Sequence, residues 1–174
     1  MPPQLFPSLQ PALVMKLHLN GFHKIGQLAN GSNLIHFEAN TGSIESVEGF
    51  EPKISAKVVM ASDWLRFDAD GKHARLDFRG VAVTDEEEGI NFAYQGTIRI
   101  SDDLRKILEM DPNAQSVPFG LNEAVHHLQS GAERLGFLEN TTFVSNARML
   151  VDEQTKAITV ENRISRVVSA TGAD

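Results

Sequence analysis

Cysteine is absent from the 174-residue sequence, which excludes disulfides, thiol nucleophiles and any zinc or iron-sulfur centre built on thiolates. Large aromatics other than phenylalanine are scarce, with one tryptophan and one tyrosine against ten phenylalanines. Basic residues are outnumbered: 16 lysines and arginines face 23 aspartates and glutamates, a formal net charge of -7. Such a chain has no broad cationic surface for phosphates, so nucleic acid is not an expected partner. No apolar run is long enough to span a bilayer. The opening Met1-Pro2-Pro3-Gln4-Leu5-Phe6-Pro7 lacks the basic start and apolar stretch of a secretory signal. The expectation is a soluble, cytoplasmic protein without a membrane partner. GxSxG elbow, P-loop, dinucleotide fingerprint and HExxH helix are all missing, and most support for cofactor-dependent chemistry goes with them. No cofactor is expected.

What is present is alternation. Leu13 to Leu19 places Leu13, Met15, Leu17 and Leu19 against Val14, Lys16 and His18, the period of a half-buried strand. Asn20-Gly21 and Asn30-Gly31 are turn dipeptides around a short segment at Ile25, and Leu34 to Ala39 alternates again. After Asn40-Thr41-Gly42 follow Ser43 to Ser46, Lys53 to Met60, Trp64 to Phe67, Ala74 to Thr84 and Asn91 to Ile100. Asp85-Glu86-Glu87-Glu88-Gly89 lies between two of these and reads as a solvated hairpin tip. Ser101 is a natural N-cap, Leu104, Ile107 and Leu108 form one apolar face, and Asp111-Pro112 ends the single helix, which covers one end of the fold. The stretch from Asn122 to Gln129 fits a helix (Leu121, Val125, Leu128) or a strand. Thr141 to Val151 and Ala157 to Val168 close the pattern. Strands without intervening helices indicate a mostly β, antiparallel sandwich or barrel. The expected organisation is an extension at 1–12, one domain at 13–168 and a disordered tail at 169–174.

The strand Arg75-Leu76-Asp77-Phe78-Arg79-Gly80-Val81-Ala82-Val83 has two characters: Leu76, Phe78 and Ala82 on one face, Arg75, Asp77 and Arg79 on the other. A closed barrel can turn a charged face inward, where Asp77 and Arg79 would be paired and would grip a polar substrate. The alternative is an exposed cross-strand pair. In an extended strand His126 and His127 point to opposite faces, so at most one reaches a pocket, where a neutral imidazole moves protons near pH 7. His36 and Glu38 share a face and would need a third ligand to hold a metal; no metal is expected. Trp64 reads as core or pocket wall, and Tyr94 as core or as a donor to a carbonyl oxygen.

Several segments together resemble the barrel family catalogued as domain of unknown function 3237. They are Asn40-Thr41-Gly42-Ser43-Ile44-Glu45, Ala61-Ser62-Asp63-Trp64, Ala74-Arg75-Leu76-Asp77-Phe78-Arg79, Tyr94-Gln95-Gly96, and the run from Gly131 through Phe137-Leu138-Glu139-Asn140 to Phe143-Val144. The resemblance extends from about Leu13 to Val168. It implies a small closed antiparallel β-barrel with its site inside, often oligomeric, and favours an inward Asp77 and Arg79; it implies no reaction. Where the family usually carries tryptophan, leucine and asparagine, this chain has Phe137, Leu138 and Glu139, and His127 stands where an arginine is common. Those substitutions favour proton transfer. The functional expectation is an isomerase or cyclase acting on a small, largely apolar metabolite inside the barrel, in the manner of secondary-metabolite biosynthesis. Its catalytic set would be His127 or Glu139 as acid or base, Tyr94 and Arg79 as oxyanion donors, and Asp77 as orienting partner. Trp64, Phe137, His36 and Glu38 would bind the substrate. The alternative is a non-catalytic barrel carrying a hydrophobic ligand. A small-molecule partner and a homo-oligomer, dimeric in the simplest case, complete the expectation.

Overall fold

Residues 5–170 are described by the computed structural model. Ten strands follow in order: β1 (Ser8–Leu19), β2 (Gly21–Gln27), β3 (Asn33–Glu38), β4 (Thr41–Ser46), β5 (Ser55–Phe67), β6 (His73–Thr84), β7 (Gly89–Arg99), β8 (Val117–Gln129), β9 (Phe143–Val151) and β10 (Ile158–Val168). Helix α1 (Asp102–Leu108) separates β7 from β8, and a 3-10 helix (Glu133–Asn140) separates β8 from β9. Neighbours pair in the order β2-β3-β5-β4-β1-β10-β9-β8-β7-β6, and β5 also pairs with β6. That last pairing closes an eight-stranded antiparallel barrel.

Two pairs of strands are interrupted single runs. β1 pairs with β4 and β2 with β3 at one offset (Leu13 with Ser46, His23 with His36), and β3 and β4 pair with β5 at one offset (Phe37 with Asp63, Ile44 with Ala56). Asn20-Gly21 and Asn40-Thr41-Gly42 are therefore kinks and not chain reversals. They face each other, and Asn20 Oδ1 accepts the Asn40 backbone N–H at 3.3 Å. β3 continues the wall beside β5 and buries Ile35 and Phe37, whereas β2 keeps a free edge because β10 pairs only with Ser8–Leu19.

Other boundaries also differ from expectation. Ser8 to Pro11, placed in an N-terminal extension by pattern, pair with β10 as the start of β1. Lys53–Met60 and Trp64–Phe67 belong to the single strand β5, whose register against β6 shifts between Val58 and Met60; the extra residue of a bulge had hidden the continuity. The ambiguous stretch from Asn122 to Gln129 is strand: Asn122, Ala124, His126 and Leu128 are buried in alternation, and Val125 faces solvent. Residues 171–174 of the expected disordered tail, like residues 1–4, lie outside the described residues.

The interior is filled by the inward parity of each strand, including Leu13, Met15, Leu17, Ile44, Leu65, Phe78, Phe92, Ile98 and Phe143. Each such side chain contributes roughly 1.5–3 kcal/mol on burial. α1 closes one end. Ser101 Oγ accepts the Leu104 N–H at 3.2 Å, Leu104, Ile107 and Leu108 point inward, and Arg105 donates to Gly71 O at 3.1 Å. The 3-10 helix covers the opposite end through Leu135 and Leu138. Arg134 fastens it by donating to Lys53 O at 2.7 Å and by pairing with Glu88 of the acidic hairpin. The tip of that hairpin is solvated as expected, but Glu88 is held by Arg134, whose hydrogen bond keeps its carboxyl below the usual glutamate range.

Closure brings backbones close. A Cβ on Gly96 would lie 2.2 Å from Glu123 O and 2.9 Å from Ala124 Cα of the neighbouring strand, whereas one on Gly131 would meet nothing within 4 Å. Gly96→Ala is expected to lower unfolding free energy by roughly 1–3 kcal/mol in urea titrations, and Gly131→Ala to leave it nearly unchanged.

Candidate active site

Several strands carry a polar residue where the inward parity is otherwise apolar. Asp63 lies between Ala61 and Leu65, Tyr94 between Phe92 and Gly96, His126 between Ala124 and Leu128, Ser145 between Phe143 and Ala147, and Asn162 between Val160 and Ile164. All five are buried, as is Asn122 on β8. Register aligns them. Asp63 is opposite Phe78, Phe78 opposite Tyr94, and Tyr94 opposite His126, so one level of the wall reads acid, ring, phenol, imidazole across four strands.

The contacts within this row are tight. Phe78 and Tyr94 stack at 4.8 Å and 6° between planes, and the Tyr94 and His126 ring centres are 4.6 Å apart; each aromatic pair adds roughly 0.5–1.5 kcal/mol beyond its buried area. His126 Nε2 is 2.7 Å from Ser145 Oγ, which donates to Asn162 Oδ1 at 3.5 Å. Among the described residues four buried side-chain atoms have no hydrogen-bond partner, and three of them, Asn122 Oδ1, His126 Nδ1 and Asn162 Nδ2, belong to these inward polar residues. Leaving such atoms unmade costs about 1–3 kcal/mol each, and ordered water is the usual way such a cost is met in a buried polar interior.

Burial sets the protonation states. It pushes the Asp63 carboxyl up to about 7, against the Asp77 backbone N–H that donates to it at 3.1 Å, with the Asp77 charge adding to the rise. Glu161 shows what is missing. It is as little exposed but lies nearer the surface, on the outer parity of β10; burial pushes it up too, but Arg148 at 2.9 Å and Arg163 at 2.6 Å hold it below the usual range. Among the described residues no cation forms an ion pair with Asp63. Burial, with a smaller contribution from His127, lowers His126 to about 3, so its ring is neutral at pH 7. Burial and the Asp63 charge raise the Tyr94 hydroxyl well above 10, and the Asn162 side chain acts the other way. At neutral pH the row therefore combines a half-ionised acid, a neutral imidazole and a phenol that keeps its proton.

Asp63, Tyr94 and Asn122 line an inner cavity together with Leu65, Leu76, Phe78, Ile98 and Leu108 of α1. Its volume of about 20 Å³ accommodates a water but not a metabolite. The expectation of a hollow lumen is corrected accordingly: aromatic and aliphatic side chains fill it. Beside Asp63 the wall is interrupted, because β5 pairs with β6 up to Asp63 and again at Arg66, leaving Trp64 and Leu65 unpaired on that edge. Outside this gap is a groove of about 440 Å³ lined by Leu28, Leu34, Trp64, Arg66, Arg75, Leu76, Asp77, Gln95 and Gly96. Leu76 belongs to both linings.

Of the residues singled out by pattern, Tyr94 alone lies in the row. Asp77 and Arg79 do pair, at 3.4 Å, but on the outer face with the guanidinium side 68% exposed; the apolar parity of β6 took the interior because Leu76 and Phe78 gain by burial and two charges would lose. His127 is exposed and its neighbour His126 is inside, fixed by the parity of Ala124 and Leu128. Glu139 is exposed on the 3-10 helix, and Phe137 packs half-buried 6.1 Å from Phe50, away from the row. Trp64, His36 and Glu38 are on the outer face, with the indole 46% exposed at the groove. Asp63, Ser145 and Asn162 were not among those residues, and of the histidine pair the catalytic set took His127 and not His126, although each of the four carried the same signal, a polar residue flanked two positions away on both sides by apolar ones. Among the described residues, the one group of three side chains with metal-ligating spacing is His23, His36 and Glu38, outside the barrel.

The sign of the pH effect follows from these shifts. Between the unfolded value of 3.8 and about 7, folded Asp63 keeps a proton that the unfolded chain has lost, so its contribution is most favourable below the unfolded value and is lost as pH rises through about 7. His126 does the reverse. Its folded value of about 3 against 6.5 makes stability fully present above 6.5 and lost as pH falls. The two slopes oppose each other from about pH 4 to 6.5. Asp63→Asn removes one of them, and the variant is expected to gain on the natural protein between about pH 4 and pH 8, by up to about 4 kcal/mol. Urea titrations across that range read the difference.

Comparison with known proteins agrees with the architecture. At 15% identity the chain superposes on a conserved protein of unknown function from Rhodopseudomonas palustris with a TM-score of 0.73, covering 94% of this chain and 99% of that one. A β-barrel-like protein from Acinetobacter baumannii AYE gives 0.68 at 15% identity over 96% and 99%. A structure described as an enzyme from Penicillium herquei gives 0.60 at 14% identity over 96% and 98%. No curated protein matches the sequence. Among the described residues no helix is long and apolar enough to cross a membrane. Residues 7–167 match the family described as protein of unknown function (DUF3237), and with the barrel, its register and its inward polar row in view, the chain belongs to that family.

Proposed function

We propose that the row of Asp63, Tyr94 and His126 is a proton-transfer site at which a small, largely apolar carbonyl compound is isomerised or cyclised, with acid and base both supplied by the protein. The observation that carries this reading is the Asp63 carboxyl. It is buried without a cation, raised to about 7, and shares the wall of a cavity with the Tyr94 hydroxyl. A general base works best when its pKa lies near the working pH.

In the proposed reaction the Asp63 carboxylate removes a proton from the carbon beside the carbonyl. The C–H electron pair becomes an enolate, whose oxygen accepts a hydrogen bond from the Tyr94 O–H. Returning the proton from Asp63 to a different carbon gives the isomer. Attack of the enolate on an electrophilic carbon of the same molecule closes a ring instead, and the proton then goes to the atom that receives the electron pair. The neutral His126 ring, 4.6 Å from that of Tyr94, packs beside the phenol and positions it.

The body of the substrate fits the groove outside the β5–β6 gap, whose volume of about 440 Å³ falls within the range of small-molecule sites. Displacement of Leu76 would admit its reactive end to the cavity. A carrier holding an apolar ligand in the lumen is disfavoured, since several polar groups line an interior with about 20 Å³ of free space. The Penicillium herquei structure described as an enzyme is consistent with catalysis on this fold.

Deuterium exchange at the α-carbon of a panel of small enones and cyclic diketones, followed by NMR in D2O, tests the reading. The natural protein is expected to accelerate exchange of at least one compound. Asp63→Asn should lower that rate by about 10²-fold or more, and Tyr94→Phe by about 10²-fold. His127→Gln should match the natural protein. Binding without exchange would support the carrier, and exchange surviving in Asp63→Asn would remove the carboxyl from the chemistry.

A further inference from the structure

We propose that His23, His36 and Glu38 form a binding site for a divalent transition metal, zinc by the chemistry of the donors, on the outer face of the β2–β3 hairpin. Their donor atoms lie within 4.8 Å of one another. Two imidazoles and one carboxylate are a donor set that borderline divalent ions favour, and three protein ligands leave a coordination position open.

The backbone holds the three side chains together. His23 is directly opposite His36 in the β2–β3 ladder, Glu38 is two residues along β3 on the same face, and Gly21 is opposite Glu38. A Cβ on Gly21 would lie 3.0 Å from Glu38 Oε2, so glycine there leaves the carboxylate room to lie back over β2. His23 Nε2 and Glu38 Oε1 are 3.0 Å apart. The His23 and His36 rings stack at 5.8 Å, and the far side of His36 rests on Trp64 at 4.5 Å. A hydrogen-bonded surface pair would account for His23 and Glu38 alone. It does not account for a second imidazole placed against both and braced by the sole indole of the chain.

Bonds of about 2.0–2.2 Å in a tetrahedral site place ligand atoms about 3.3–3.6 Å apart, so binding requires the side chains to draw in from their present spread. The His23 side chain is 64% exposed and free to do so. The consequence would be structural as well as chemical. β2 has one free edge, and a metal bridging β2 to β3 would pin it. Leu28 and Leu34, which follow β2 and lie on β3, form part of the groove wall with Trp64, so the ion would fix one side of that groove. The proposal does not depend on the proton-transfer reading.

Co²⁺ titration of the full chain, followed by its visible absorption and by Trp64 fluorescence, tests the site, with Zn²⁺ as competitor. Trp64 is the only tryptophan, so quenching reports on this locus. The expected result is one Co²⁺ per chain, displaced by Zn²⁺, with indole emission falling by at least about half. His23→Ala, His36→Ala and the near-isosteric Glu38→Gln should each weaken binding by about tenfold or more, and His18→Ala should not. Glu38→Gln keeps the test valid should His36→Ala disturb the packing on Trp64. Absence of saturable binding up to ~1 mM Co²⁺, or binding and quenching that survive in the His23→Ala and Glu38→Gln variants, would overturn the proposal.

Discussion

Pairing of β5 with β6 is the interaction on which everything else rests, because it turns a ten-stranded ribbon into a closed wall. Once the wall is closed, successive residues of a strand alternate between interior and exterior except at bulges, and a shift of one position exchanges the two sets. Closure also sets the levels. Asp63, Phe78, Tyr94 and His126 come from four strands spread over more than sixty positions of sequence, yet ladder register puts each opposite the next. The same pairing fails at Trp64 and Leu65, where the Asp63 side chain accepts the Asp77 N–H. The ladder is thus interrupted beside the acid.

Two buried carboxylates show how surroundings decide chemistry. Glu161 lies between two guanidiniums and stays ionised, a structural ion group on the outer parity of the barrel. Asp63 has neighbours that are aromatic, aliphatic or neutral polar, and loses part of its charge at neutral pH. A fold built only for stability would have little reason to keep that acid, since a neutral residue there would avoid the desolvation cost. The unpartnered atoms of Asn122, His126 and Asn162 are further departures from full satisfaction in the same interior. Such departures concentrate where function opposes stability.

Much of the secondary structure was legible because a half-buried strand writes its period into the chain. The two faces of β6 were read correctly, as was the N-cap at Ser101, which accepts the Leu104 N–H. The errors came where a bulge or kink interrupts a strand without ending it. The bulge at Val59 shifts the parity of β5, so that the chain beyond Met60 read as a second segment starting at Trp64, and Asn20-Gly21, with the composition of a hairpin turn, carries the chain straight on. Helical spacing of Leu121, Val125 and Leu128 obscured β8, in which Val125 points to solvent. The site suffered from a different ambiguity. Charged Asp77 and Arg79 drew attention as a pair, whereas the interior went to polar residues standing singly among apolar ones.

Composition and periodicity alone determined that this chain is mostly β with an antiparallel architecture and a helix between β7 and β8, and that no thiol takes part in its chemistry. Those properties are local, each resting on a few adjacent residues and the backbone geometry they favour. Only the tertiary structure decided which parity of each strand faces inward, and therefore that Asp63 and His126, not Asp77 and His127, meet Tyr94. The reason is that inside and outside do not exist for an isolated strand: they are properties of the closed barrel, set by the cheapest burial summed over all of its strands at once.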